Sequence, residues 1–300
     1  MKSSFIATVF NEEKNIKSFI DSLLDQTKKP NEIIIVDGGS DDKTYGILKE
    51  YSKRNKLVKV YQEKGANIAR GRNIAISKAK GEIILVSDAG CILDKDWVKD
   101  TLNYFPKEDI VAGSYKGIVK NNFEYFQNLL VIKKVDRPAR MSSRNIAFKK
   151  KCWKDVGGYP EKSLTGEDNR FNINLMEKGY KIKVNPKKLI SWDMRPTLSK
   201  FSKQYYLYGK GDSIQRNLWK KTLKKNFIMV MGFWAYLLVI LLSVFTFPFL
   251  SLTLVIFPLV ILGLHAFKFF IKTRKLSALF WIPTLIATKR ISYILGATFK

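Results

Sequence analysis

From residue 226 to residue 267 the chain carries no Lys, Arg, Asp or Glu. A helix that crosses a bilayer core needs about 20 apolar residues. These 42 residues therefore have room for two passes, joined by a turn near Phe247-Pro248-Phe249. Leu, Ile, Val and Phe occupy every helical face, unlike the single stripe of a helix half exposed to water. A buried hairpin in a soluble core is the alternative, and the flanks argue against it. Lys220, Lys221, Lys224 and Lys225 precede the tract, and Lys268, Lys272, Arg274 and Lys275 follow it. Basic flanks stay on the cytoplasmic side, so a hairpin with both ends inside is expected, with passes at about 227–247 and 249–271. Residues 276–297 are apolar but interrupted by Lys289 and Arg290. That segment reads as an interfacial helix, with a third pass as the alternative. The chain thus divides into residues 1–225 and a membrane domain, 226–300.

Charge reinforces the division. The chain holds 53 Lys/Arg against 26 Asp/Glu, a net +27, and its last carboxylate is Asp212. Such a surface attracts polyanions or anionic headgroups. A nucleic-acid binder would show basic and aromatic stripes on a soluble fold. Here residues 200–225 place eight Lys/Arg and one acid beside the apolar tract, so anionic lipids, not nucleic acid, are the expected partner. Two cysteines, Cys91 and Cys152, imply no disulfide framework. Met1-Lys2-Ser3-Ser4 leads straight into a strand pattern, without a signal-peptide pattern. The one histidine, His265, lies in the apolar tract. Acid–base work must therefore fall to carboxylates and metal ligation to oxygen.

The first 200 residues alternate between strand and helix patterns. Strands are expected at 4–10, 33–36, 57–61 and 83–86, and helices from Ile16, at 44–55 and at 68–79. Short, fully apolar strands separated by helices imply a parallel sheet covered on both faces, an open Rossmann-like α/β fold.

In such a sheet ligands bind beyond the carboxyl ends of the strands. Two apolar strands end there in aspartates, Asp37 before Gly38-Gly39 and Asp88 before Ala89-Gly90. Either could be plain turn chemistry. The pair, expected on neighbouring strand ends, favours a site for a ribose or base and a divalent cation. No G-x-x-x-x-G-K-[ST] loop occurs, and no G-x-G-x-x-G follows the first strand, which disfavours P-loop and dinucleotide chemistry. Diphosphate charge would then meet a metal and basic side chains such as Arg70, Arg72 or Arg144. Glu167 and Asp168 open a helical pattern, where they serve either as an N-terminal cap or as a general base.

Several motifs stand in order: Ala7-Thr8-Val9-Phe10-Asn11-Glu12-Glu13, Val36-Asp37-Gly38-Gly39-Ser40-Asp41-Asp42, Gly71-Arg72-Asn73-Ile74-Ala75 and Asp88-Ala89-Gly90-Cys91. Ser142-Ser143-Arg144-Asn145, Val156-Gly157-Gly158-Tyr159-Pro160 and Gly166-Glu167-Asp168 follow. Together they resemble family-2 glycosyltransferases of the GT-A fold, over about the first 215 residues. The resemblance implies a GT-A nucleotide-diphospho-sugar transferase domain, with a C-terminal helical membrane hairpin and a cytoplasmic active site. It implies that Asp37 binds the nucleoside of a UDP-, GDP- or dTDP-sugar, with Thr8, Asn11 and Glu12 nearby. Asp88 is implied as ligand of a Mn²⁺ or Mg²⁺ cofactor, Asp168 as catalytic base and Glu167 as its companion. Arg72 is implied as a donor contact, and Arg144 and Gln204 as acceptor or diphosphate contacts. The family's D-x-D metal motif is incomplete here because Gly90 stands at its second position. Asp193 is an extra metal-ligand candidate.

A lipid phosphate is ionised already and needs no base, whereas a sugar hydroxyl does. A base at Asp168 thus favours inverting transfer to a hydroxyl of a lipid-linked saccharide. Polyprenyl phosphate is the alternative acceptor. From another class, a non-catalytic membrane scaffold or polyanion-binding protein is the rival reading. The full chain is expected to stay in the membrane fraction through an alkaline carbonate wash, and release into the soluble fraction would remove the two-pass reading.

Overall fold

The structure, a computed structural model, describes residues 1–132, 141–214 and 224–299. The flanking Lys220 and Lys221 lie outside the described residues. Along the chain run β1 (Ser3–Val9), α1 (Ile16–Leu24), β2 (Glu32–Asp37), α2 (Thr44–Arg54), β3 (Val58–Gln62), α3 (Ile68–Lys78) and β4 (Ile83–Val86). Then come β5 (Cys91–Leu93), α4 (Trp97–Leu102), β6 (Ile110–Gly113), β7 (Lys116–Ile118), α5 (Asn122–Val131), β8 (Ile146–Lys149), α6 (Lys150–Asp155) and α7 (Glu167–Glu177). The chain continues through β9 (Lys183–Asn185), β10 (Ile190–Asp193), α8 (Leu198–Ile214), α9 (Lys224–Thr246), α10 (Pro248–Thr273) and α11 (Ala278–Thr298). They form two compact units. One holds residues 1–118, 132–162 and 167–193, and the other holds 119–131, 163–166 and 194–300.

The first unit is built on a seven-stranded sheet of order β3-β2-β1-β4-β8-β6-β9, with a three-stranded sheet β5-β10-β7 beside it. The apolar runs of β1, β2 and β4 are buried throughout, as strands covered on both faces must be. Alternation divides their side chains between two layers. Phe5 meets Phe19 of α1 and Trp97 of α4, while Ile6, Ile34 and Val36 pack with Ala69, Ala75 and Ile76 of α3. Each Phe, Ile or Val among them contributes about 1.5–3 kcal/mol on burial.

The expected parallel sheet holds for β3, β2, β1 and β4, but the whole sheet is mixed. Strand β8 runs antiparallel to both β4 and β6. An apolar strand with both faces covered carries no mark of its direction. Its direction depends on the route the chain takes between β4 and β8, which a residue pattern does not record.

Glu32, at the start of β2, is a buried tie point. Its carboxylate accepts from Ser4 Oγ at 2.7 Å, Lys59 Nζ at 2.5 Å and Lys80 N at 2.5 Å. It thereby joins β1, β3 and the α3–β4 turn.

In the second unit α8 and α11 approach backbone to backbone. A Cβ added at Gly209 would lie 2.0 Å from the Tyr293 carbonyl oxygen, and one at Gly296 would lie 1.9 Å from that of Tyr206. Only glycine permits this spacing. The segment expected at 276–297 is thus one helix, α11. It buries Ile282, Leu285 and Ile294 in a cluster with Phe201 and Tyr205 of α8. Helices α9 and α10 are both long and apolar enough to cross a membrane. They break at Phe247, as expected, and leave side chains such as Phe245 and Phe249 85–86% exposed.

Burial opposes the charge on Glu32, but its bonds from Lys59, the Lys80 N–H and Ser4 outweigh that and hold its carboxyl below the ordinary range. A depressed carboxylate adds stability above its unfolded pKa, and that stability is lost as pH falls through the folded value. Glu32→Gln is expected to cost about 1–3 kcal/mol at neutral pH. In denaturant titrations its gap to the wild type should close below pH 4.5. A gap that does not vary with pH would show that the charge is not responsible.

Candidate active site

Two loops at the carboxyl edge of the larger sheet are stitched together. Asn11, in left-handed backbone at φ +54°, donates its N–H to Ser40 Oγ (2.9 Å) and accepts from the Asp41 N–H (3.1 Å). The Glu12 N–H donates to Thr44 Oγ1 at 2.8 Å. Short polar side chains that tolerate this conformation are what such a turn requires. Asp37 is fully buried beneath this rim. Its Oδ1 accepts from the N–H groups of Gly39 and Ser40 and from Gln62 Nε2, and its Oδ2 accepts from Ser40 Oγ. Asp37 thus sets the shape of the loop after β2. Contrary to the expectation of neighbouring strand ends, Asp37 does not adjoin Asp88, because β1 lies between β2 and β4.

The Gly71-Arg72-Asn73 triplet on α3 organises the rest. A Cβ at Gly71 would lie 2.3 Å from Thr8 Cγ2, so glycine lets α3 settle onto β1 and fixes where Thr8 sits. Arg72 is only 2% exposed. One arm donates to Asp88 Oδ1 and the other to Glu167 Oε1, both at 2.7 Å, and the guanidinium lies 5.3 Å from the centre of the Tyr159 ring. Asn73 clasps the next motif. Its Oδ1 accepts from Trp153 Nε1 and the Tyr159 N–H, and its Nδ2 donates to the Tyr159 carbonyl and to Glu161 Oε1. Tyr159 stacks on Phe171 of α7 and shares a hydrogen bond with Ser143.

Burial opposes the charge on Arg72, yet the carboxylates of Asp88 and Glu167 hold it on, and its pKa rises above the ordinary value. For Glu167, burial pushes the carboxyl up against the pull of Arg72, with Asp168 adding to the rise. Asp168 is partly exposed at the start of α7, where its Oδ1 accepts from the Asn169 N–H at 2.8 Å. Burial pushes the Cys91 thiol up to about 12, so Cys91 packs as a protonated apolar group.

Arg144 reaches Asp88 from another side. Its Nε lies 3.6 Å from Asp88 Oδ2, and its guanidinium sits 4.1 Å from the Trp192 ring centre and 5.5 Å from that of Tyr115. The two rings meet edge to face at 84°, holding the cation by their faces.

The first unit therefore gathers Arg72, Asp88, Arg144 and Glu167, with Asp168 next in chain. The expected donor contact of Arg72 meets a buried guanidinium with both arms engaged on protein carboxylates. Arg70, exposed, pairs with Glu63. Gln204 belongs to the second unit, where it bonds Arg195 and Tyr208. Asn73, Tyr115, Tyr159 and Trp192 were not singled out from sequence as site residues. Asn73, Tyr159 and Trp192 are signalled only by adjacency to Arg72, to a glycine pair and to Asp193, and Tyr115 has no such signal.

Among the described residues no three His, Cys, Asp or Glu side chains gather as a preformed metal set. Asp193, ending β10, donates its N–H to the Gly90 carbonyl at 3.2 Å, so Asp88 and Asp193 lie on adjoining segments. Carboxylates are the oxygen donors that a hard cation takes together with water and substrate phosphates.

Residues 4–158 match the model of glycosyl transferase family 2, and residues 85–271 that of glycosyl transferase family group 2. The chain belongs to glycosyl transferase family 2. It is a glycosyltransferase. A relative from Methanococcus voltae, a dolichyl N-acetyl-α-D-glucosaminyl phosphate 3-β-D-2,3-diacetamido-2,3-dideoxy-β-D-glucuronosyltransferase, is 26% identical over 228 residues, 69% of this chain and 71% of the relative. Other relatives are matched over only 62–64% of their own length. Two solved structures share the GT-A-type fold. S. aureus TarS with UDP-GlcNAc has a TM-score of 0.54 at 24% identity, covering 71% of this chain and 68% of TarS. The mannosyltransferase PcManGT from Pyrobaculum calidifontis, with GDP-Man and Mn²⁺, has a TM-score of 0.64 at 16% identity, covering 96% and 85%.

A Cβ at Gly90 would meet only Trp192 ring atoms, at 3.9 Å. Gly90→Asp is therefore expected to fold with a stability change within about 0.5 kcal/mol. It should also lower the Mn²⁺ concentration that gives half-maximal transfer. An unchanged Mn²⁺ requirement would separate position 90 from the cation.

Proposed function

We propose that this glycosyltransferase moves a sugar, with inversion, from a nucleotide-diphosphate donor to a hydroxyl of a lipid-linked saccharide in polysaccharide or glycolipid synthesis. The observation that carries the reading is the shared grip on Arg72. A carboxylate of the donor-type motif, Asp88, and one of the acceptor-type motif, Glu167, bind opposite arms of one guanidinium. In this reading the two halves of the reaction meet within one unit. The Methanococcus voltae relative, whose name describes a dolichyl-phosphate-linked saccharide acceptor, supports the choice of a lipid-linked hydroxyl.

In this reading the acceptor oxygen attacks the anomeric carbon as the bond from that carbon to the phosphate oxygen breaks. The nucleotide leaves with the electron pair, and the Asp168 carboxylate takes the hydroxyl proton. Asp37 shapes the loop that receives the nucleoside, with Asn11, Glu12 and Thr8 on the adjoining rim. Arg144, held on Trp192, offers positive charge to the diphosphate or the acceptor. A divalent cation, Mn²⁺ or Mg²⁺, would be held by Asp88, with Asp193 adjoining, and supplies charge neutralisation for the leaving diphosphate when bound. Residues 1–225 are the catalytic domain on the cytoplasmic face. Residues 226–300 anchor it in a membrane whose anionic lipids meet the basic flanks.

The test is a panel of UDP-, GDP- and dTDP-sugars with lipid-linked saccharide and polyprenyl phosphate acceptors, run on detergent-solubilised protein with and without chelator. One donor should transfer to the saccharide in a chelator-sensitive way, and Asp168→Asn should lower kcat by about 10²–10⁴-fold at an unchanged donor Kd. Transfer to polyprenyl phosphate alone, or full turnover by Asp168→Asn, would overturn the acceptor and base assignments respectively.

A further inference from the structure

Arg72 presents a chemical puzzle. An arginine near a diphosphate site is the natural phosphate ligand, yet this one is 2% exposed and both arms are already directed at protein carboxylates. Its position is over-determined. Gly71 seats its helix on Thr8, Asn73 ties the following turn to the 153–161 segment, and Tyr159 lies against the guanidinium. Arg144, in contrast, reaches the same Asp88 from the aromatic pair Tyr115 and Trp192 and is more accessible, with 16% of its side chain exposed. The two arginines therefore divide the labour.

We infer that Arg72 is a positioning residue that touches no substrate and sets the separation between the donor carboxylate Asp88 and the base-bearing start of α7. The inference rests on the transfer reading above and adds a role to it. Its arms fix one oxygen of Asp88 and one of Glu167, and the Asp168 carboxylate follows Glu167 by a single residue on the same helical turn. A guanidinium is suited to this work because its planar fork directs two bonds at once, which an ammonium cannot do at fixed geometry. Its charge also faces Glu167, drawing that carboxyl down against the rise that burial causes. Losing the strut leaves the donor's own contacts in place but misaligns base and donor. A misplacement of about 1 Å costs roughly 10²-fold in rate.

The experiment measures kcat and donor KM against pH for the wild type, Arg72→Gln, Arg72→Lys and Glu167→Gln in the full solubilised chain. It also measures the Kd of the matching nucleoside diphosphate by calorimetry. Arg72→Gln is expected to lower kcat by about 10²-fold while KM and Kd stay within about twofold. The acid limb of its kcat profile should move to higher pH, since the pull of Arg72 on the Glu167 carboxyl is gone. Arg72→Lys should return that limb and recover part of kcat. A raised Kd with kcat retained would make Arg72 a donor ligand. A lower kcat with the acid limb unmoved would make its role merely structural. Either result overturns the inference.

If Arg72→Gln does not fold, the Arg72→Lys and Glu167→Gln pair decides. Their kcat losses should fail to multiply in the double variant, and independent losses would overturn the strut. A wild type silent across the donor panel would instead remove the transfer reading. The strut is then read from thermal unfolding of the same cycle, where additive costs would overturn it.

Discussion

The first unit depends on one buried cation held between two carboxylates. Enclosing Arg72 removes it from water, at a cost that two short, well-directed ion pairs offset only while both are intact. The consequence is intolerance. Removing one partner from such a buried set typically costs about 3–5 kcal/mol, because the remaining charge is left without compensation. The surrounding features follow from that constraint. A glycine brings the arginine's helix close to β1, an asparagine locks the segment carrying Tyr159, and that ring, stacked on Phe171, supports α7. Motifs distant in the chain are thus assembled around a single guanidinium.

The carboxyl edge of the sheet obeys a similar logic with different chemistry. Asp37 satisfies the orphan N–H groups of its own turn, while Asn11 and Glu12 tie the neighbouring loop to the same residues. Polar atoms that would otherwise be buried without partners are paired. The shape of the rim is accordingly fixed by its own hydrogen bonds. The second unit uses glycine in place of charge. Gly209 and Gly296 let α8 and α11 meet at their backbones, and the apolar surfaces of α9 and α10 remain outward.

Much of this was legible in the residues. The apolar strands, their helices and the two long apolar helices α9 and α10 announce themselves through periodicity and hydrophobicity, properties local to a dozen residues. Asp88 and the acid pair at 167–168 stand in motifs that resemble those of the family. What was not legible depends on meetings between distant segments. The reversal of β8, the interposition of β1 between the strands of Asp37 and Asp88, and the aromatic seat of Arg144 have no local signature.

Residue order alone thus determined an α/β domain with aspartates at the ends of its apolar strands, followed by a helical hairpin able to cross a membrane, because burial preferences act within each element. Only the tertiary structure decided that Arg72 serves two carboxylates while Arg144 stays accessible. The reason is physical: two arginines have the same charge and the same donors, and only the groups folded around each one decide which it must satisfy.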